Sequence, residues 1–237
     1  MASPAKTAAP KGPATKKAAP AAKKPAASPA SGNGRTANTG LGAGSNAAVD
    51  IQPRLNQQQN APSPTQRYGT VSQRLPIGLS ESTRQESVTM LNQLLADTIT
   101  LRDMYKKHHW QVVGPTFYQL HLLFDKHYEE QAVLVDAIAE RIQILGGVAV
   151  AMAHDVAELS SLPRVPRDRE EAPVQVSRLL DGHQRILKNC HDYASKADDS
   201  GDDGTNDLIV SQLVRTNEMQ VWFVAEHVVD SPLTQAE

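Results

Sequence analysis

The sequence predicts an all-α protein: four long helices in one bundle with a single long crossover, preceded by a disordered basic tail. Three observations predict it. Beyond residue 80, apolar side chains recur at helical spacing through four segments, each about 25–30 residues long and so about 40 Å at 1.5 Å per residue. No segment alternates with period two for long enough to make a strand. Before residue 70, large apolar residues recur with no period, and such a chain cannot bury enough surface to offset the entropy of ordering it.

The elements follow in order. Residues 1–49 form a Lys/Ala/Pro-rich tail, in which Pro10, Pro13, Pro20 and Pro25 break any helix the alanines favour. Residues 50–79 read as a Gln/Pro-rich linker, 80–230 as the helical domain and 231–237 as a short C-terminal tail. A capping box, Thr83-x-x-Glu86, opens the first helix. Its stripe is Val88, Leu91, Leu94, Leu95, Thr98, Leu101 and Tyr105, ending near Trp110. A second box, Thr116-x-x-Gln119, opens the second helix after Gly114-Pro115. Its stripe is Leu120, Phe124, Tyr128, Val135, Ile138, Ile142 and Leu145, and Gly146-Gly147 ends it. The third helix carries Val176, Leu179, Leu180, His183, Ile186, Leu187, Cys190 and Tyr193. The fourth carries Leu208, Ile209, Leu213, Thr216, Met219, Phe223 and His227, with Trp222 expected in the core. The first connection (about 111–115) and the third (about 199–204) are short, so each joins an antiparallel pair. The second, about 147–172, is long enough to cross the bundle, which makes the second and third helices parallel. One long crossover in a four-helix bundle is the ferritin-like arrangement. Within it, Val156 to Leu162 is apolar enough for a short extra helix.

The net charge of −2 hides a split. Residues 1–49 hold Lys6, Lys11, Lys16, Lys17, Lys23, Lys24 and Arg35 and no acid, a charge of +7; the other 17 bases stand against all 26 acids, a charge of −9. A basic arm on an acidic body points to nucleic acid or another anionic surface as the partner of the arm. Spaced ammonium groups on a flexible chain follow a phosphate backbone and release counterions without reading sequence. The lysine doublets of TKKAAP and AAKKPAA resemble the Lys-Ala-Pro tails of linker histones. A solubilising tail is the alternative. A transit peptide is disfavoured by Lys and Pro in place of Arg and an amphipathic helix, and no apolar stretch follows the lysines as in a secretory signal. No run approaches 18 apolar residues, so no membrane partner is expected. The lone Cys190 excludes an internal disulfide framework and a multi-cysteine zinc site, and fits a reducing compartment.

A di-iron centre inside one bundle needs Glu-x-x-His on two helices. No Glu of this chain is followed three residues later by His, and His-Glu-x-x-His is absent. The second helix instead pairs His121 with Asp125 and Asp136 with Glu140, each at i, i+4 and so on one face. The two pairs are 15 residues apart, about 22 Å along the axis, so one chain cannot bring both to one metal. Fifteen steps return to within roughly 60° of the same face. Two such helices crossing antiparallel about a twofold axis near Glu130 would bring His121 and Asp125 of one chain to Asp136 and Glu140 of the other, twice over. His109, just before the short turn, returns beside the start of the second helix. Imidazole and carboxylate with an open position suit Fe(II), without being diagnostic of it. Solvated surface or intrahelical ion pairing remains the plain alternative.

Residues 97–147 carry a more specific signal. HHWQVVGPTFYQLHLLFD followed by DAIAERIQILGG resembles the Dps family, the miniferritins of bacteria and archaea, and the resemblance extends more weakly over about 80–230. It implies a hollow dodecamer that oxidises Fe(II), preferably with hydrogen peroxide, and stores Fe(III) mineral inside. It implies iron ligands at His109, His121 and Asp125 of one chain and at Asp136 and Glu140 of its partner; all five keep the family's residue type. His108 would be a near neighbour, and His127 structural or superficial. Trp110 would lie close to the iron or pack at the dimer interface. Asp198, Asp199, Asp202, Asp203 and Asp207 precede or open the fourth helix, where carboxylates complement its dipole. In the family this region lies near a threefold pore that draws in Fe(II). The expected function is that of a cytoplasmic, nucleoid-associated ferroxidase of the stress response, coating DNA non-specifically with its tails. The alternatives are a miniferritin that does not bind DNA and a DNA-packaging scaffold without a working iron centre.

Overall fold

The computed structural model describes residues 65–72 and 75–229. The basic residues of the 1–49 tail, most of the Gln/Pro-rich stretch and the 231–237 tail lie outside the described residues. Every regular element among the described residues is a helix, and none is a strand. Helices α1 (Glu81–Gln111) and α2 (Phe117–Ile144) form the first hairpin, followed by α3 (Ala153–Leu159) and α4 (Ala172–Asp199). The fourth long helix runs from α5 (Asp203–Asp207) through a π-helical segment (Leu208–Val214) into α6 (Arg215–Ala225). The core joins Leu91, Leu94, Leu95 and Leu101 of α1 to Phe124, Ile138 and Ile142 of α2 and to Leu179 and Ile186 of α4.

The helix ends differ from expectation in ways their geometry explains. α1 opens at Ser80, whose hydroxyl accepts from the Thr83 N–H at 3.1 Å, so the expected box at Thr83 lies inside the first turn. Thr116 does precede α2, but its hydroxyl caps nothing; its backbone is not extended there (φ −96°, ψ 13°), as a side-chain cap needs. α2 ends as expected at the glycine pair. Gly146 takes φ +82°, and the Gly147 N–H reaches back to the Ile142 carbonyl at 2.8 Å while that of Gly146 reaches Gln143, a Schellman closure. A Cβ on Gly147 would lie 2.6 Å from a Val88 methyl, so the second glycine is required by packing against α1.

Residues 65–70, expected to be disordered, are held on the bundle. The Ser72 N–H and Gln66 Nε2 both donate to the Gly146 carbonyl (2.7 and 2.8 Å), and Gln85 reaches the Gly69 carbonyl at 2.9 Å. Buried Arg84 ties the carbonyls of Ser72 (2.6 Å) and Leu145 (3.2 Å) together. These contacts use backbone groups, which carry no periodicity to read.

Two polar side chains of α1 fasten the crossover. Asn92 accepts from the Val150 N–H at 2.8 Å and donates to the Val148 carbonyl at 3.1 Å. Asp97 accepts from the Ser161 N–H and hydroxyl (2.6 and 2.9 Å) and from the Ser160 hydroxyl (2.9 Å). Between these clips lies α3, the short helix expected near Val156 to Leu162.

The fourth helix departs most from its expected stripe. Leu208, Ile209 and Leu213 are buried as predicted, with Val214 beside them, but in the last part of the helix the buried residues are Asn217, Gln220 and Val224, in place of Thr216, Met219 and Phe223. A π turn inserts one residue into the helical repeat and advances the inward face by one position. Trp222, expected in the core, is therefore 62% exposed.

Candidate metal centre

The short turn between α1 and α2 brings His109 and His121 face to face, ring centroids 3.8 Å apart and planes 18° from parallel. His109 Nδ1 lies 2.7 Å from the His121 carbonyl, and His121 Nδ1 lies 2.9 Å from the His109 carbonyl. A carbonyl only accepts, so both Nδ1 atoms carry a proton, which in the neutral ring makes Nε2 the lone-pair nitrogen. That is the tautomer a metal ligand needs, fixed by the hydrogen bond at the opposite nitrogen. Asp125, one turn beyond His121, places Oδ1 3.9 Å from His109 Nδ1. The same oxygen is ion-paired to Lys106, whose hydrogen bond holds the carboxyl below its usual range. Lys106 in turn sits 4.5 Å above the Tyr128 ring, and Phe117 stacks on His121 at 5.1 Å. His109, His121 and Asp125 thus gather at the mouth of the hairpin, the carboxylate lying on the Nδ1 side of His109.

Asp136 and Glu140 stand apart, both exposed on the distal half of α2. Among the described residues, no three His, Cys, Asp or Glu side chains close on one point as a metal cage within this chain. Asp136 and Glu140 lie instead on an exposed stripe of α2 that includes Leu122, Val133 and Ile144, which are 50%, 65% and 51% exposed. Trp110 (70% exposed) and Tyr118 (68%) extend the apolar surface beside His109 and His121.

The acidic group divides. Asp198, Asp199, Asp203 and Asp207 are exposed. Asp202 is completely buried and cannot line a pore. It caps α5 through the Thr205 N–H at 3.1 Å, accepts from the Ser87 hydroxyl at 2.6 Å and pairs with Arg141 at 2.5 Å. Its position at the start of a helix was a visible sign of capping; the distant Ser87 and Arg141 were not.

His108 and His127 are both fully buried. Burial pushes each imidazole down to about 4, which keeps it neutral. The sequence reading missed a polar cluster inside the bundle, contributed by Tyr105, His127, Gln131, His183, Asn217 and Gln220. Each position reads as part of an ordinary helical stripe, and the π segment brings the last two inward.

Comparison with known proteins agrees with this architecture. Residues 88–233 match the ferritin-like domain family. The nutrient stress-induced DNA-binding protein of Nostoc sp. is 32% identical over 169 residues, which is 71% of this chain and 91% of that protein. Among solved structures, DpsC from Streptomyces coelicolor superposes with a TM-score of 0.72 and 54% identity, over 73% of this chain and 100% of that one. The Dps protein of Vibrio cholerae superposes with a TM-score of 0.62 and 25% identity, over 70% of this chain and 100% of that one, and is described as a member of a broad superfamily of ferritin-like diiron-carboxylate proteins. A four-helix bundle with one crossover and histidines at its hairpin mouth defines a ferritin-like protein. The chain belongs to the ferritin-like family and, within it, to the Dps proteins. The fold class and the resemblance drawn from the two motifs are both met. No helix among the described residues is long and apolar enough to cross a membrane.

Proposed function

We propose that this chain is a Dps-type miniferritin whose substrate is Fe(II), oxidised at centres shared between two subunits and stored as Fe(III) mineral within a dodecameric shell. The observation that carries the reading is the pair of stacked imidazoles beside Asp125, each with its Nδ1–H on the other's backbone carbonyl. In the proposed centre His109, His121 and Asp125 bind from one subunit, and Asp136 and Glu140 from the partner bound along the exposed α2 stripe. Hydrogen peroxide takes two electrons from two Fe(II) and two protons from solvent, giving two waters and two Fe(III). Consuming peroxide and Fe(II) together denies them the one-electron reaction that makes hydroxyl radical. Exposed Asp198, Asp199, Asp203 and Asp207 concentrate Fe(II) at the shell, since clustered carboxylates focus cations.

The tail, through Lys6, Lys11, Lys16, Lys17, Lys23, Lys24 and Arg35, binds DNA without sequence preference and places the shell on the nucleoid in the cytoplasm. The charge of the arm and the names of the relatives support this half of the reading. Iron-oxidation kinetics on the full chain and on a chain lacking residues 1–49, with gel-shift assays and native mass on both, test the whole. The full chain should oxidise iron, shift DNA and have the mass of a shell; the shortened chain should lose only the DNA shift. A small particle without iron oxidation refutes the miniferritin reading.

A further inference from the structure

Phe117 opens α2 and is 45% exposed, so packing in the core does not account for it. The buried stripe of α2 starts only at Leu120. The preceding turn fixes where Phe117 stands. Gly114 takes φ +106°, a conformation open to glycine, and its carbonyl accepts from the Phe117 N–H at 3.0 Å. His121 follows one helical turn later, and residues four apart on a helix are neighbours. The two rings stack, centroids 5.1 Å apart and planes 30° from parallel. His109 stacks on the same imidazole at 3.8 Å and 18°. His121 is thus held by two rings and by its Nδ1–H on the His109 carbonyl at 2.9 Å. Leucine in place of Phe117 would be as apolar and have no ring to stack.

The stack gains most when His121 carries a cation. An imidazole that gives its lone pair to a divalent ion becomes electron-poor. The face of a benzene ring is electron-rich and attracts such a group more than it attracts a neutral ring. His109 does not offer the same help, because in the proposed centre it is ligated too, and two electron-poor rings 3.8 Å apart repel. Phe117 is a neighbour of this pair that favours the metal-bound state over the empty one, and only such a difference shifts a binding equilibrium. We infer that Phe117 is a positioning residue of the metal centre, whose ring orients the His121 imidazole and stabilises it once a divalent cation is bound. The inference rests on reading His109, His121 and Asp125 as iron ligands.

Two plainer roles would also place an apolar side chain here. One is contact with a partner subunit, next to Trp110 and Tyr118. The other is keeping water away from the Nδ1–H bond of His121. Any apolar side chain of similar reach meets both, whereas the stack needs an electron-rich face. Tyrosine keeps that face and leucine does not. Fluorine atoms on the ring keep its shape and apolarity while drawing electrons from its face, so they separate the stack from both plainer roles.

The test titrates the full chain, stripped of metal, with Co(II), whose visible absorbance reports its ligands. The unaltered chain should bind Co(II) at a site that is lost in His121→Ala. Phe117→Leu should weaken that binding by about two- to tenfold, the worth of one aromatic pair. Phe117→Tyr should restore it. Native mass and the urea midpoint should be alike in all three, since Phe117 is half-exposed and outside the core. Phenylalanine bearing one, two or three ring fluorines, introduced at position 117 by nonsense suppression, should lower Co(II) affinity step by step at unchanged particle mass. Affinity that is indifferent to fluorination overturns the inference, and so does a Phe117→Leu chain that binds as tightly as the unaltered one. Either result, with Co(II) still bound through His121, leaves the iron-centre reading standing. An unaltered chain that binds no Co(II) through His121 sinks the iron-centre reading itself, and the role of Phe117 with it.

Discussion

Subunit mixing tests the shared centre quantitatively. The perturbation is two double variants: Asp136→Asn with Glu140→Gln in one chain, and His109→Ala with His121→Ala in the other. Along α2, His121 and Asp136 are 15 residues and about 22 Å apart, so no rotamer lets one chain supply both halves. In a twofold dimer every contact of residue i with residue j of the other copy is matched by one of j with i, so a dimer has two equivalent centres. Homodimers of either variant lack half the ligands at both centres and should be inactive. A mixed dimer has one centre built from the intact histidines of one chain and the intact carboxylates of the other, and a second centre damaged on both sides. Random mixing of equal amounts makes about half the dimers mixed, each with one working centre of two, and so restores about a quarter of wild-type activity. The chains are co-refolded at varied ratios and assayed for Fe(II) oxidation with peroxide. Activity should follow the product of the two mole fractions and peak at equal amounts. Activity that stays at zero, or that changes linearly with composition, would refute a centre shared between subunits.

Other outcomes follow from the same geometry. Asp202→Ala leaves Arg141 without its buried partner and removes the cap of α5; urea unfolding should show a loss of about 3–5 kcal/mol, while Asp203→Ala at the exposed neighbour should cost little. Lys106→Met frees Asp125 from its cation; Fe(II) titration should show affinity for the first ion raised by up to about fivefold, the worth of a partly exposed pair. Three imidazoles, His108, His127 and His183, are held neutral by burial, near 4, 4 and 3, against an ordinary value of about 6.5. Below pH 6.5 the unfolded chain therefore takes up protons that the folded chain does not, and stability falls with pH by about 1.4 kcal/mol per unit for each of them. Chemical unfolding between pH 7 and 5 checks this, and a His183→Gln variant that folds should show a shallower slope. Neutralising Lys16, Lys17, Lys23 and Lys24 should weaken binding alike for every DNA sequence and lower the salt slope by about three to four, since each phosphate contact contributes about 0.9; an unchanged slope would assign DNA binding to another surface.

Periodicity and connection length alone determined the bundle. Burying an apolar face is the main stabilisation of a helix in a globular protein, so Val88 through Tyr105 and Leu120 through Ile142 could be read as stripes, and a crossover of some 25 residues as the parallel step. The Gly146-Gly147 stop was legible as well, since it depends on a conformation available to glycine. The separation of the two ligand pairs on α2 was also visible in one dimension, because helical rise is fixed. What only the tertiary structure decided was every feature that depends on a partner far away in the chain. Asp202 looked like its four acidic neighbours until Ser87 and Arg141 closed over it. Residues 65–72 carried no pattern because they are held through backbone carbonyls. The π segment shifted the inward face of the last helix from Met219 and Phe223 to Asn217 and Gln220, and so set Trp222 on the surface and completed the hydrogen bonds around Tyr105 and His183. A one-residue shift in helical register leaves no mark in composition; it is chosen by the polar groups of three other helices, which need those two amides to complete their hydrogen bonds in a place without water.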